Sequence, residues 1–204
     1  MSTQPSDLHQ VLSEVRRAYR LLHVYHRRLC DLLQTIDETL SRSGLAFQRW
    51  SPINVLWLPD GKSPFFRPEK WAWDLSPAYQ VLCEWKGASS EHVRRVVIEC
   101  VADTGYTLMG GGEPDASRFD DVDRCITEIR ISMWTARSTD ADWGAAWKEV
   151  EQLPDRYDGR VHAVKVDGVE LTYARFAVNV AELVDESAAS TKLCAPLEAW
   201  LKNS

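Results

Sequence analysis

The feature that most constrains this chain's fold is a run of apolar residues between Asp7 and Arg42, spaced alternately by four and three positions. A 3.5-residue period keeps such side chains on one face of an α-helix, here for about nine turns, as in a coiled-coil seam. Neither Gly nor Pro interrupts the run, Ser6 or Asp7 can act as the N-cap, and Gly44 stands where a left-handed C-cap is expected. The pattern predicts one long amphipathic helix over residues 7–43. Its apolar stripe comprises Leu8, Leu12, Val15, Tyr19, Leu22, His26, Leu29, Leu33, Ile36 and Leu40.

A helix of this length exceeds what the core of a small domain usually covers, and this leaves two interpretations of the apolar stripe. The helix can lie across a wide sheet of its own chain, with His26 as an ordinary core residue. Alternatively, part of the stripe meets a partner, and a second copy would give a symmetric homodimer through residues 8–40.

From Leu45 onward, alternating patterns predict strands. Apolar and polar residues alternate most clearly over 125–134, and Asp167-Gly168 is the preferred dipeptide of a two-residue hairpin turn. A helix is expected near 142–152, capped by Asp140 or Asp142, and a C-terminal helix over 186–203, kinked or split by Pro196. The remaining predicted strands cover 45–51, 54–58, 79–86, 93–102, 161–166 and 169–180.

These elements predict an α+β fold, with a mainly antiparallel sheet of about five to seven strands, because helices and strands do not alternate regularly. The long N-terminal helix and the two shorter helices are expected on one face of the sheet. The 204 residues fit a single domain over 1–204. Within it, residues 45–183 form a sheet-rich body.

Charge is distributed unevenly along the chain. The formal net charge is −6, yet residues 1–50 hold seven Arg and five acidic residues, so the remainder is strongly acidic. Such a body repels nucleic acid and anionic lipid, so neither direct nucleic-acid binding nor membrane binding is expected. It suits a basic or nucleic-acid-binding partner protein, or serves solubility alone.

The five cysteines are widely spaced and odd in number, which is typical of reduced, buried thiols rather than a secreted disulfide framework. The first residues lack the basic and apolar regions of a signal peptide, and no stretch approaches the ~20 apolar residues of a membrane span. A cytoplasmic, bacterial-type protein is expected.

No motif predicts a catalytic, cofactor-binding or metal site. Gly110-Gly111-Gly112 is followed by acidic residues, the wrong charge for a phosphate loop. The 120–123 acids lack the spacing of a calcium loop, and His23 and His26 lack the further ligands that zinc requires. The absence of a motif weakens the case for an enzyme but leaves it open.

Tryptophan is the compositional outlier, with nine residues. Trp71 and Trp73 fall in the Pro-rich stretch 59–78, close to Phe66. Rigid aromatic residues of this kind anchor protein interfaces, or they can fold inward as a satellite core.

The leading hypothesis is a non-enzymatic interaction protein: an inhibitor, immunity factor or accessory subunit. It would dock an acidic and aromatic surface on a partner protein, with acidic side chains in the places of phosphates. The alternatives are an enzyme with a pocket between the sheet and the Pro/Trp-rich loop, and a structural homodimer through the N-terminal helix. The proposed partner-binding residues are Phe66, Trp71, Trp73, Glu113, Asp115, Asp120, Asp121 and Asp123.

Overall fold

The fold is a six-stranded sheet with one very long helix at its N-terminal end. The computed structural model describes residues 5–53, 79–88, 92–105, 116–137, 141–151, 153 and 157–203. The predicted α+β class with an antiparallel sheet is confirmed. The predicted strand over 54–58 lies outside the described residues. In chain order the elements are α1 (Pro5–Arg42), β1 (Ala46–Pro52), β2 (Gln80–Ala88), β3 (Val93–Val101), β4 (Glu128–Ala136), α2 (Trp143–Glu151), β5 (Asp158–Val166), β6 (Val169–Asn179), α3 (Glu186–Ala189) and α4 (Ala195–Asn203).

The strands are ordered β1-β2-β3-β4-β6-β5, and every neighbouring pair is antiparallel. Alternate side chains therefore point to opposite faces of the sheet. The first face carries the main core, where β2, β3, β4 and β6 meet α1, α3 and α4. Its centre is apolar, with Ile98, Ile129 and Ile131 completely buried.

The second face of the sheet is covered in part by α2. Trp134, Leu171 and Tyr173 lie there in a smaller apolar cluster with Ala146 and Val150 of the helix. The expectation that all helices lie on one face is therefore wrong for α2. Its apolar side needs a sheet surface, and Trp134 provides one on the face opposite to Ile131.

Local signals at the turns behave as the sequence predicts. Gly44 has a φ of 80°, and the Leu45 N–H donates to the Leu40 carbonyl at 3.0 Å, which closes the C-terminus of α1. Asp167 and Gly168 both have positive φ, as the two-residue turn between β5 and β6 requires. The helix α1 begins at Pro5, two residues before the predicted start, because proline is well suited to a first helical turn.

The C-terminal helical segment is continuous across Pro196. Residues Ser190–Cys194 form a wide π turn between α3 and α4, immediately before the proline. A wide turn is one of the ways in which a helix accommodates a missing N–H and the bulk of the ring. No described helix has the length and apolarity that a membrane span requires.

Candidate interaction surface

The N-terminal half of α1 extends away from the sheet. Every side chain from Asp7 to Val24 is exposed, and we refer to residues 7–24 as the projecting segment. At 1.5 Å per residue the segment is about 27 Å long. It carries the front part of the apolar stripe, where Leu12, Val15 and Leu22 are each between 43% and 45% exposed. Leu8, Val11 and Tyr19 are exposed to a still greater extent.

The C-terminal half of α1 uses the same stripe to pack on the sheet. Leu29 is 7% exposed, and Ile36 and Leu40 are fully buried. The Trp85 indole N–H donates to the Asp37 carboxylate at 2.7 Å, which ties this half to β2. The first interpretation, packing on the protein's own sheet, therefore applies to this half of the stripe. Of the predicted dimer stretch 8–40, the part from Leu29 onward is occupied by the protein's own core.

The acidic residues Asp120, Asp121 and Asp123 lie on the connection between β3 and β4, and all three are exposed. Asp121 accepts a hydrogen bond from the Asp123 N–H at 3.1 Å and so caps a short helical turn. Arg118 and Arg124 are interleaved with them, and Arg124 lies 4.0 Å from the Asp120 carboxylate. The negative charge of this surface is therefore partly offset.

The other proposed partner-binding residues lie outside the described residues: Phe66, Trp71, Trp73, Glu113 and Asp115. Among the described tryptophans, Trp85, Trp134 and Trp200 are buried in the two cores. Trp50, on the edge strand β1, is 59% exposed.

A charged network occupies the middle of the sheet's second face, centred on Arg175. The Arg175 guanidinium has no exposed surface and lies between two rings, 4.6 Å from the Trp147 centroid and 4.5 Å from the Tyr157 centroid. Its Nε donates to the Ser132 hydroxyl at 2.8 Å, and its other nitrogens donate to the Glu151 carboxylate at 3.2 Å. The Tyr157 hydroxyl accepts a further bond at 2.9 Å.

Glu84 forms a second charged centre on the same face. Its side chain is 2% exposed and lies 2.8 Å from the nitrogens of both Arg49 and Arg95, and 3.1 Å from Lys86. Burial by itself raises the pKa of Glu84, but hydrogen bonds from Arg49 and Lys86 and the charge of Arg95 outweigh burial, so the pKa lies below its ordinary value. The carboxylate therefore stays ionised and serves as a structural anchor.

Sequence reasoning missed these two centres. The predicted sites include none of the charged residues of the strands, whereas Glu84, Glu99 and Arg175 are buried. One signal was available: Glu99 stands between Ile98 and Cys100 in the otherwise apolar run 96–101 of β3. Its ion-pair partners come from other strands, so the pattern within β3 could not identify them.

The cysteines are free thiols, and their positions differ. Cys83, Cys100 and Cys194 are buried, whereas Cys30 is exposed on α1 and Cys125 is intermediate. Burial raises the pKa of the Cys83 thiol to about 11, which makes it unreactive near neutral pH. The expectation of buried thiols is thus wrong for Cys30, because its position lies beside the apolar stripe rather than on it.

Concave sites in the described part of the chain are open surface pockets. One of about 410 Å³ lies between α1 and α4, lined by Arg42, Glu198 and Lys202 among others. Within the described ranges, no group of three or more His, Cys, Asp or Glu side chains could hold a metal ion. The pocket that the enzyme alternative invokes would lie beside residues 59–78, none of which is described.

Comparison with known proteins gives a family but no activity. A family model described as PM0109 matches residues 5–202. The chain belongs to the PM0109 family. The match spans both the projecting segment and the sheet, so the long helix is within the region that defines the PM0109 family. No curated protein and no solved structure matches this PM0109 chain.

Proposed function

We propose that this protein works by binding another protein molecule, as an accessory or assembly subunit or an inhibitor, and that the projecting segment is its main docking element. The observation that carries the proposal is the division of the apolar stripe. The same stripe is buried at Ile36 and Leu40, and open at Leu12, Val15 and Leu22.

The exposed half of the apolar stripe is expected to be covered by another molecule, on physical grounds. An isolated helix of this length is marginally stable in water, and packing of its apolar face normally supplies the missing stability. Five large apolar side chains of the stripe, and Val11 beside it, are between 43% and 70% exposed: Leu8, Val11, Leu12, Val15, Tyr19 and Leu22. Burying the exposed half of each would contribute roughly 1 kcal/mol per side chain.

The charged centres of the sheet support binding rather than catalysis. Glu84 is held ionised by three cations, and Arg175 is enclosed by two rings and three hydrogen-bonded oxygen groups. In the same network, burial and the charge of Glu99 raise the pKa of Tyr157 to about 12. A general acid or base at neutral pH needs a pKa near the operating pH. The pKa values of Glu84 and Tyr157 are shifted away from neutral pH, as in a structural network.

Co-purification from the native host tests the proposal. Leu22→Glu places a carboxylate on the stripe, whereas Val24→Glu places one on the opposite side of the same helical turn, where Val24 is 64% exposed. The stripe variant should lose the proteins, or further copies of the chain, that the tagged wild type retains, and the control variant should keep them. Equal retention by both variants would refute docking through the stripe.

The acidic surface provides a second arm of the same experiment. Reversing the charge of Asp120, Asp121 and Asp123 should weaken capture of a basic partner, because complementary charges speed encounter and set specificity. Loss of the partner in this variant, with normal capture by Leu22→Glu, would move the docking site to the β3–β4 connection.

A further inference from the structure

We propose that the projecting segment pairs with the projecting segment of a second copy of this chain, in antiparallel orientation. This inference rests on the proposed function and names the partner. The resulting interface would be a two-helix seam with a two-fold axis close to Val15, and the two sheet bodies would lie at opposite ends of it.

The stripe itself points to a helical occupant. Its central positions Leu8, Val15, Leu22, Leu29 and Ile36 are seven residues apart, and this spacing continues without a break from the open half to the buried half. A seven-residue apolar repeat is complementary to a helix with the same repeat, whose side chains fit between its own. A second copy of this chain carries the same seven-residue repeat in its own α1.

The position of the body decides the orientation. From Leu29 onward the stripe is covered by the protein's own sheet, and Tyr25 is the first partly buried residue before it. A partner helix running parallel would continue past this point into the sheet and α4. In an antiparallel pair with the axis at Val15, residue 25 instead faces residue 5 of the second copy, where α1 begins. The partner helix therefore fits the open half along its whole length.

The charges beside the stripe affect the orientation of the pair less than the collision of a parallel partner with the sheet does. On a helical wheel Glu14 and Arg16 lie on opposite sides of the stripe. Antiparallel pairing therefore brings Glu14 toward Glu14 of the second copy and Arg16 toward Arg16 of the second copy, so like charges approach each other. Glu14 already pairs with Arg17 at 3.1 Å, and both side chains are more than half exposed. Exposed charge pairs have small effects, so they do not outweigh the collision with the sheet in a parallel pair.

The size of the contact predicts a reversible dimer. Two helical segments about 27 Å long and about 10 Å wide offer less than the roughly 800 Å² per partner of a standard interface. Monomer and dimer should therefore exchange with protein concentration, at a dissociation constant in roughly the micromolar range.

Sedimentation analysis of the purified full chain tests whether the partner is a second copy. The wild type should shift from monomer to dimer as its concentration rises, Val24→Glu should do the same, and Leu22→Glu should weaken the dimer by roughly 100-fold because a carboxylate is costly to bury. Thermal melting should show all three folded, since both sites are exposed. A wild type that stays monomeric, or a dimer that Leu22→Glu leaves intact, overturns the proposal.

Cysteine cross-linking tests the orientation, with Cys30 and Cys125 first replaced by Ser. Val15→Cys should form a disulfide-linked dimer on oxidation. Leu8→Cys and Leu22→Cys should each stay monomeric alone and cross-link when mixed, because antiparallel pairing places position 8 opposite position 22. Cross-linking of Leu8→Cys alone or of Leu22→Cys alone would show a parallel pair and overturn the proposal.

The two proposals fail in distinguishable ways. If the purified chain is monomeric while Leu22→Glu abolishes capture of a different protein in the host, the second copy is refuted and docking through the stripe remains. If Leu22→Glu changes neither the mass of the purified protein nor capture in the host, both proposals are refuted.

Discussion

Arg175 has a guanidinium with no exposed surface, yet its hydrogen-bonding groups meet Ser132, Glu151 and Tyr157. A planar cation fits between the Trp147 and Tyr157 rings in a way that an ammonium does not. The residue joins β6 to β4, to α2 and to Tyr157 just before β5. These hydrogen bonds fix the relative positions of elements that the apolar cluster of the second face also holds together.

Replacement of Arg175 should be strongly destabilising. Arg175→Ala removes a cation from beside the buried Glu99 and the half-buried Glu151. Glu99 keeps Arg130 at 3.8 Å, and breaking a buried ion pair costs about 3–5 kcal/mol. Arg175→Lys keeps the charge but loses the stacking, so its loss should be smaller. Urea unfolding followed by tryptophan fluorescence measures both. Losses below about 1 kcal/mol for both variants would contradict a structural role.

The stability that Glu84 contributes to the fold should depend on pH. The pKa of Glu84 in the folded protein lies below its ordinary value of 4.5, so the ionised carboxylate stabilises the fold at neutral pH. That contribution should be lost as the pH falls below about 4.5. Glu84→Gln should therefore be less stable than the wild type at pH 7, and the gap should narrow in acid. A gap that is constant between pH 7 and pH 3 would contradict this role.

Among the elements, α1 combines two environments in one uninterrupted helix. Its C-terminal half is held by the core and by the bond from Trp85 to Asp37, while its N-terminal half has no cover from any described part of the chain. Under the proposed function, folding stability and partner binding are thus separated along a single element. Changes near Ile36 should affect folding, and changes near Val15 should affect assembly.

A matched pair of truncations tests this separation. Ile36→Ala removes a fully buried side chain and should cost about 2–5 kcal/mol of unfolding free energy. Val15→Ala, at a site that is 43% exposed, should change the unfolding free energy of the dilute monomer by less than about 0.5 kcal/mol. It should still weaken association. Similar destabilisation by both variants would show that residue 15 belongs to the folded core.

The sequence predicts the helices and turns better than it predicts which distant residues pack against them. The period of α1, Gly44 and Asp167-Gly168 are local signals, so the long helix, its end and the hairpin could be predicted. The point at which the stripe passes from open to covered depends on the sheet, whose strands lie far along the chain. The ion pairs of Arg175 likewise join residues from separate elements, so no pattern within one strand identifies them.

At the scale of the whole molecule, the described residues form a body with two apolar cores and an exposed amphipathic helix that extends from it. In the proposed dimer, each copy covers the open stripe of the other, and the bodies are held apart at the two ends. The face of the sheet that carries Arg175 and Glu84 takes no part in this pairing. A dimer of this form can therefore present the same surface twice to a further partner.

Site-specific photo-crosslinking in the living host tests docking through the stripe most directly. A benzophenone amino acid replaces Val15 in one strain and Val24 in a matched control, two positions on opposite sides of the projecting segment. The account predicts a covalent adduct with another protein molecule from position 15, with the mass of two chains if the partner is a second copy, and no such adduct from position 24. An adduct from position 24 alone, or no adduct from position 15, would contradict it.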